Sequence, residues 1–170
     1  MTLEALIARA HRMDERAWAR HANPWSVWTR IPILPALALT AWSREWIGAW
    51  ALLPAAMLLG WTWANPRAFA PPASTDNWAS RAVIGERLWL SRPDHPVPPH
   101  HRLLPHLLNA LAALGGVALA WGLIRLDGVL ALSGLATALG AKMWFLDRMV
   151  WLTHDMRDDP RMRDWTRPVS

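Results

Sequence analysis

Cysteine is absent from this chain of 170 residues. Its absence excludes disulfides, thiolate zinc sites, iron–sulfur clusters, covalently attached c-type haem and cysteine nucleophiles. Tyrosine is absent too and lysine occurs only at Lys142, so the net charge of +5 comes almost entirely from arginine.

The N-terminal residues lack the apolar core of a signal peptide. The stretch MTLEALIARAHRMDERAW carries charges throughout, and we expect no cleavage. Elsewhere the apolar residues form four runs, at 24–43, 46–64, 103–124 and 128–152. Because a helix of ~20 residues crosses the ~30 Å hydrocarbon core of a bilayer, the sequence predicts an all-α integral membrane protein with four transmembrane helices.

Very short links, residues 43–46 and 125–128, join the first span to the second and the third to the fourth, which predicts two hairpins. In the second hairpin, a turn centred on residue 126 places residues whose numbers sum to about 252 at equal depth, so His101 is predicted to lie level with Trp151. Fifteen arginines lie outside the hairpin turns and two, Arg44 and Arg125, lie within them. Since positively charged segments stay on the cytoplasmic side, both termini and the central loop 65–102 are predicted to be cytoplasmic, with the protein in the cell inner membrane. The charge follows the membrane segments, which favours a lipid bilayer over nucleic acid as the partner.

The first span is the least regular of the four. It reaches the required length only if Asn23 is the N-cap and Pro24 the first helical residue. Arg30 must then extend its charged end to the membrane surface, and Pro32 and Pro35 must bend the helix. A re-entrant or interfacial segment is the alternative interpretation.

Each hairpin is preceded by a segment with the pattern of an amphipathic helix on the cytoplasmic membrane surface. Residues 3–20 place their apolar side chains on one arc and their charged side chains on the other. Residues 76–90 are similar, with Ser74 or Thr75 as the expected cap. Residues 153–170 are predicted to form a cytoplasmic tail.

Histidines and carboxylates converge at the cytoplasmic face of the predicted membrane domain, some of them on the apolar arcs of the two surface helices. A buried carboxylate is costly without a partner. Imidazole nitrogens and carboxylate oxygens together suit Fe, Mn or Zn. The predicted metal ligands are His21, His100, His101, Asp14, Glu86 and Asp147.

The same residues also have structural interpretations, which remain open at this point. Adjacent His100 and His101 can cap the third transmembrane helix or lie among the lipid headgroups. The acidic residues can form local pairs instead: Asp14 with His21, Glu86 with an arginine or a tryptophan, and Asp147 with His106.

Three stretches resemble a family of small bacterial and archaeal membrane proteins of unknown function. They are HANPWSVWTRIPILP at residues 21–35, STDNWASRAVIGERLWL at 74–90 and PVPPHHR at 96–102. The resemblance covers about residues 10–155. It implies a multi-pass membrane protein and no particular activity.

A weaker resemblance is to the membrane-bound fatty acid desaturases and hydroxylases, which have two membrane hairpins and a cytoplasmic dimetal site of clustered histidines. The stretch HPVPPHH is similar to one of their histidine boxes, at His95, His100 and His101. That family uses more histidines than the seven in this chain. A matching site would therefore need Asp14, Glu86 and Asp147 as substitutes.

Three classes of function follow. The first is a metal-dependent, oxidoreductase-like membrane enzyme that acts on a hydrophobic small molecule, with Glu86 and Asp147 as candidate catalytic residues. The alternative is a non-enzymatic assembly factor, regulator or complex subunit whose polar residues are structural. A transporter is a third hypothesis, and with four spans it would need to form a homo-oligomer.

The predicted topology is testable with reporter fusions at residue 1, within residues 70–95 and at residue 170. All three should report the cytoplasm, because the arginine-rich segments resist translocation. A periplasmic signal from the central loop would contradict the four-span arrangement.

Overall fold

The structure, a computed structural model, describes residues 15–166, the side chain of residue 164 excepted. Every regular element in this range is helical, which confirms the all-α class. The α-helices are α1 (Glu15–His21), α2 (Pro24–Trp28), α3 (Ile33–Ile47), α4 (Leu52–Ala68), α5 (Trp78–Leu90), α6 (Leu103–Arg125), α7 (Gly128–Asp155) and α8 (Pro160–Thr166). Short 3₁₀ helices cover Gly48–Ala51 and Pro99–His101. Most of the predicted surface helix 3–20 lies outside the described residues.

Three helical segments in the described range are long and apolar enough to cross a membrane: Pro24–Ala68, Pro99–Arg125 and Gly128–Asp155. Large apolar side chains on them face outward, among them Trp50, Leu52 and Val129. In water such a surface would be a severe aggregation liability, whereas in lipid it needs no cover. The long apolar helices and their outward-facing apolar side chains therefore indicate a membrane protein.

The first of these segments is divided differently from the prediction. Asn23 does cap α2 as expected, since its Oδ1 accepts a hydrogen bond from the Trp25 backbone N–H at 2.9 Å. The predicted span 24–43, however, is broken by turns at residues 29–32. The expected link 43–46 is helical, and the chain leaves α3 at Gly48, where φ is +54°. Glycine tolerates this backbone conformation because it has no Cβ, and residues 43–46 contain no glycine.

Contacts divide the chain into two compact units. The apolar unit consists of residues 29–62 and 103–145. The polar unit consists, within the described part of the chain, of residues 15–28, 63–102 and 146–166. Helices α4 and α7 each contribute to both units.

In the apolar unit, α6 and α7 pack through glycine. A Cβ on Gly115, Gly122 or Gly134 would come within 3.0 Å of backbone atoms of the facing helix. The facing residues are Ala138, Ala131 and Leu119 respectively, and this antiparallel register agrees within one residue with that expected from a turn at residue 126. Small residues allow such backbone approach, and close packing rather than hydrophobic burial drives helix association in lipid.

Capping interactions close the turn between α6 and α7. The Asp127 carboxylate accepts a hydrogen bond from the Leu130 N–H at 3.0 Å, and the Asp127 N–H donates to the Gly122 carbonyl at 2.9 Å. Arg44 of α3 donates to the Leu123 carbonyl at 2.5 Å. The Leu123 carbonyl otherwise accepts a long bond of 3.4 Å from the Leu126 N–H, so the arginine gives it a stronger donor. It also places positive charge at the C-terminal end of the α6 dipole.

In the polar unit, α5 is the central helix. Eight of its residues are buried, on more than one side of the helix. The burial goes beyond the single apolar arc predicted for residues 76–90, because small residues such as Ala79, Ala82 and Gly85 let neighbours pack closely. The place of α5 on the membrane surface stays a prediction. The cap is Asn77, whose Oδ1 accepts from the Ser80 N–H at 2.9 Å, and not Ser74 or Thr75.

The glycine packing of α6 and α7 predicts a contrast between two substitutions in one helix. Gly134→Ala should destabilise the protein by about 1–3 kcal/mol, because its methyl group would force the α6 and α7 backbones apart. Gly140→Ala has open space around its Cβ and should be neutral or slightly stabilising. Thermal unfolding in detergent, followed by circular dichroism, measures both. Equal midpoints for the two variants would contradict the packing described.

Candidate metal site

In the polar unit, two adjacent histidine side chains contact the same oxygen atom of one carboxylate. Nε2 of His100 lies 3.0 Å from Oδ2 of Asp155, and Nε2 of His101 lies 2.8 Å from the same oxygen. One possible ligand atom from each side chain lies within 4.8 Å of the other two. Among the described residues, it is the one group of three histidine or acidic side chains that lie close enough together to hold a metal ion.

Local sequence explains how neighbouring histidines come to face the same way. Pro98 is extended, with φ −52° and ψ 143°, and Pro99 opens a 3₁₀ turn that contains both histidines. The two imidazole rings lie 4.3 Å apart between centroids. Arg102 then secures the turn by donating from Nε to the Val97 carbonyl at 3.2 Å. Asp155 is the last residue of α7, so its backbone is held by the helix while its side chain extends from the helix end.

The three side chains differ in their access to solvent or lipid headgroups. His101 is 3% exposed, whereas the His100 side chain is 65% exposed and that of Asp155 is 32% exposed. A carboxylate only accepts hydrogen bonds, so both rings donate from Nε2 in the arrangement described. The group thus has a buried side formed by His101 and an open side at His100.

The geometry is close to that of a metal site but is not identical to it. In a tetrahedral zinc site with bonds of ~2.0–2.1 Å, neighbouring ligand atoms lie ~3.3 Å apart. The two N···O distances here are 3.0 and 2.8 Å, so loss of the Nε2 protons and an outward shift of a few tenths of an ångström would make room for an ion. Three protein ligands would leave at least one coordination position open on the His100 side.

His21 lies in a different place, within a buried polar chain. Its Nδ1 is 3.0 Å from Ser26 Oγ, and that hydroxyl donates its one proton to Asn65 Oδ1 at 2.7 Å. His21 must then donate from Nδ1. Ser26 and Asn65 are completely buried, which makes this chain a structural link between α1, α2 and α4.

The predicted carboxylate ligands also lie outside the group. Asp147 accepts a hydrogen bond from Trp78 Nε1 at 3.3 Å. Glu86 is half-buried on α5, and His106 is exposed near the start of α6. Asp14 lies outside the described residues. The structure therefore brings together two of the six predicted ligands, His100 and His101.

Asp155 is the residue that the sequence reasoning missed. The predicted fourth span ended at residue 152, which left Asp155 in the tail. The hairpin register had nevertheless placed His101 level with Trp151, and Asp155 is one helical turn beyond Trp151 on the same face. Extending α7 by one turn would have found it.

The residues after Asp155 are tied to the end of α5. The Arg161 guanidinium binds both oxygens of Asp159 at 2.8 Å and also donates to Ser91 Oγ at 2.8 Å. These hydrogen bonds hold the pKa of the Asp159 carboxyl below its usual value. The linkage holds the chain that follows Asp155 against the end of α5.

Comparison with known proteins gives one match. The model of a family of unknown function, DUF6653, matches residues 2–170. No curated protein matches the chain, and neither does any solved structure. The resemblance to an uncharacterised family is confirmed, whereas the weaker one to desaturases and hydroxylases gains no support from these comparisons.

Unequal burial predicts unequal roles for the two histidines in stability. His101→Ala should destabilise the protein by about 2–3 kcal/mol, since it removes a buried hydrogen bond to a carboxylate and leaves a cavity. His100→Ala should cost less than about 1 kcal/mol, because its pair with Asp155 is open to solvent. Thermal melts in metal-free buffer with chelator measure the difference. A larger loss for His100→Ala would show that the burial described is wrong.

Proposed function

The chain belongs to this family of unknown function, and we propose that it is an inner-membrane protein that binds one transition-metal ion through His100, His101 and Asp155. The observation that carries the proposal is the convergence of both Nε2 atoms on one oxygen of Asp155. The histidines lie in a 3₁₀ helix and Asp155 lies at the end of α7, and these elements are distant in the sequence. Ligands drawn from distant segments are typical of a binding site, whereas a local ion pair joins residues that are close in the sequence. Neutral imidazole and carboxylate together match the preferences of Fe, Mn and Zn.

The composition of the group favours an oxidoreductase-like activity. Two histidines and one carboxylate, with further coordination positions open, form the triad typical of non-haem Fe(II) oxygenases. We therefore place Fe(II) first among the three metals. In this role all three side chains hold the ion, and His100, the exposed one, also borders the open side.

The apolar unit contains a cleft that can take a hydrophobic molecule, independently of the candidate metal site. Its volume is about 730 Å³. The lining is almost wholly apolar, with Thr40 and Arg44 as the polar exceptions. A hydrocarbon chain arriving laterally from the bilayer can enter such a cleft without crossing water.

The four-span topology is part of the same proposal. The segment Pro24–Ala68 has 45 residues, which is about twice the length needed for one crossing. Residues 34–44 and residues 48–55 line the same cleft, which supports a reversal of the chain at Gly48. With α3 only 15 residues long, the reversal lies at or before the far membrane surface, and both ends of the segment return to the cytoplasmic side.

A second function is favoured by the distances themselves. At 2.8 and 3.0 Å the histidines already make complete hydrogen bonds to Asp155. In this second function, the role of these bonds is to hold the Pro98–Arg102 turn against the end of α7. The protein would then be a non-enzymatic assembly factor, regulator or complex subunit, as the alternative interpretation of the sequence holds.

Metal content separates the two functions. Protein purified in detergent without a histidine tag or chelator should carry roughly one metal ion per chain. Asp155→Asn should lose most of it, because an amide nitrogen cannot replace the carboxylate ligand. Asp147→Asn removes the same charge from the same helix and should keep the metal. Glu86→Gln should also keep it, unless Glu86 contributes as the sequence predicted.

Mass spectrometry of the metal content gives the result directly. Wild-type protein that contains no metal, and that binds none on titration with Fe(II), Mn(II) or Zn(II), would exclude the metal site and leave the structural function. Equal retention by Asp155→Asn and wild type would place any bound metal elsewhere.

A further inference from the structure

The polar unit contains a second cavity, of about 490 Å³, which does not include the candidate metal site. Its walls come from α1, α5 and α8, with Pro71 from the loop between α4 and α5. Three arginines line it, Arg16, Arg20 and Arg87, together with the indole rings of Trp18 and Trp165. The acidic residue in the lining is Glu15, so the described walls carry an excess of positive charge.

Arg87 is the fixed member of this cavity. Its side chain is 14% exposed, its Nη2 forms an ion pair with Glu15, and its guanidinium carbon lies 3.8 Å from the ring centroid of Trp165. The ring of Trp18 lies on another side of the guanidinium group, with its centroid 5.7 Å from the guanidinium carbon. Stacking on an indole ring holds the guanidinium plane while leaving its edge available for hydrogen bonds.

The other two arginines are more open. Arg20 donates from Nη1 to the Arg67 carbonyl at 3.4 Å, a long hydrogen bond that neutralises no charge. Arg16 is exposed, and no hydrogen bond or ion pair to another described residue is found for it. Two guanidinium groups therefore border the cavity without an acidic partner among the described residues.

We propose that this cavity binds the phosphate group of an anionic phospholipid headgroup. Arginine binds phosphate through paired N–H···O bonds and is preferred where a planar, two-pronged contact is made. Tryptophan is the residue that prefers the boundary between headgroups and hydrocarbon, so Trp18 and Trp165 favour a lipid over a soluble phosphate. Basic pockets on the cytoplasmic side of membrane proteins are suited to anionic headgroups.

The proposal is independent of the metal site. It shares no residue with His100, His101 or Asp155, and its test needs no metal. Inorganic phosphate carries the same chemical group, so the experiment includes it as a separate arm.

The test uses delipidated full-length protein in detergent, with thermal stability measured as lipid is added. Phosphatidylglycerol should raise the melting temperature of the wild type, whereas zwitterionic phosphatidylcholine at equal concentration should not. The double variant Arg16→Gln, Arg20→Gln should need about 10- to 100-fold more phosphatidylglycerol for the same shift, since it loses two charge-assisted contacts. Arg87 is left intact because it also holds Glu15.

A matched control is the double variant Arg157→Gln, Arg163→Gln. Both residues are exposed and neither lines the cavity, so the same loss of charge should leave the phosphatidylglycerol response unchanged. If both double variants lose the response equally, the effect is general attraction to positive charge and the proposal falls. It falls too if phosphatidylglycerol stabilises the Arg16, Arg20 variant as it does the wild type. Stabilisation by inorganic phosphate alone would overturn the lipid as the source.

Discussion

The close approach of α5 to α7 at Gly85 is the constraint on which the polar unit depends. A Cβ at this position would overlap the Met149 carbonyl, so the two helix backbones touch where any other residue would separate them. The Thr153 hydroxyl reinforces the contact by donating to the Arg81 carbonyl at 2.7 Å. Asp155 lies two residues further along α7, so the contact that positions Thr153 also positions the carboxylate of the candidate metal site.

The same constraint explains why α5 is buried on several sides. The backbone of α5 faces α7 at Gly85. On another side, Val83 and Ala79 pack in a cluster with Ala22 and Val27. Few faces of the helix are then left for the membrane surface. Its polar residues are then used inside the unit. Ser80, for example, donates to the Ala22 carbonyl at 2.6 Å and is fully buried.

Several buried or half-buried polar groups in the polar unit are matched in sets, and this decides which of them are available for chemistry. The His21 imidazole is bonded through Ser26 to Asn65, and the Asp147 carboxylate is bonded to the Trp78 indole. In a medium of low polarity an unsatisfied polar group is expensive, so these pairings are structural requirements. His100 differs, because its ring is exposed and it shares the Asp155 carboxylate with His101.

Sequence alone predicted the all-helical class, the apolar segments, the cap at Asn23 and the register of α6 against α7. Those features depend on composition, on local capping and on a turn of fixed length, which act over a few residues. The pair His100 and His101 was also predicted, because the PVPPHHR stretch concentrates imidazole beside prolines that fix the backbone.

Only the tertiary structure decided which carboxylate joins the histidines. Periodicity places residues on a face of a helix but carries no information about what covers that face, and Asp14, Glu86 and Asp147 all satisfied the pattern equally well. The choice of Asp155 follows from how far α7 extends and from the glycine contact that sets α7 against α5. Both are properties of residues distant in sequence packing together, and for that reason no local pattern records them.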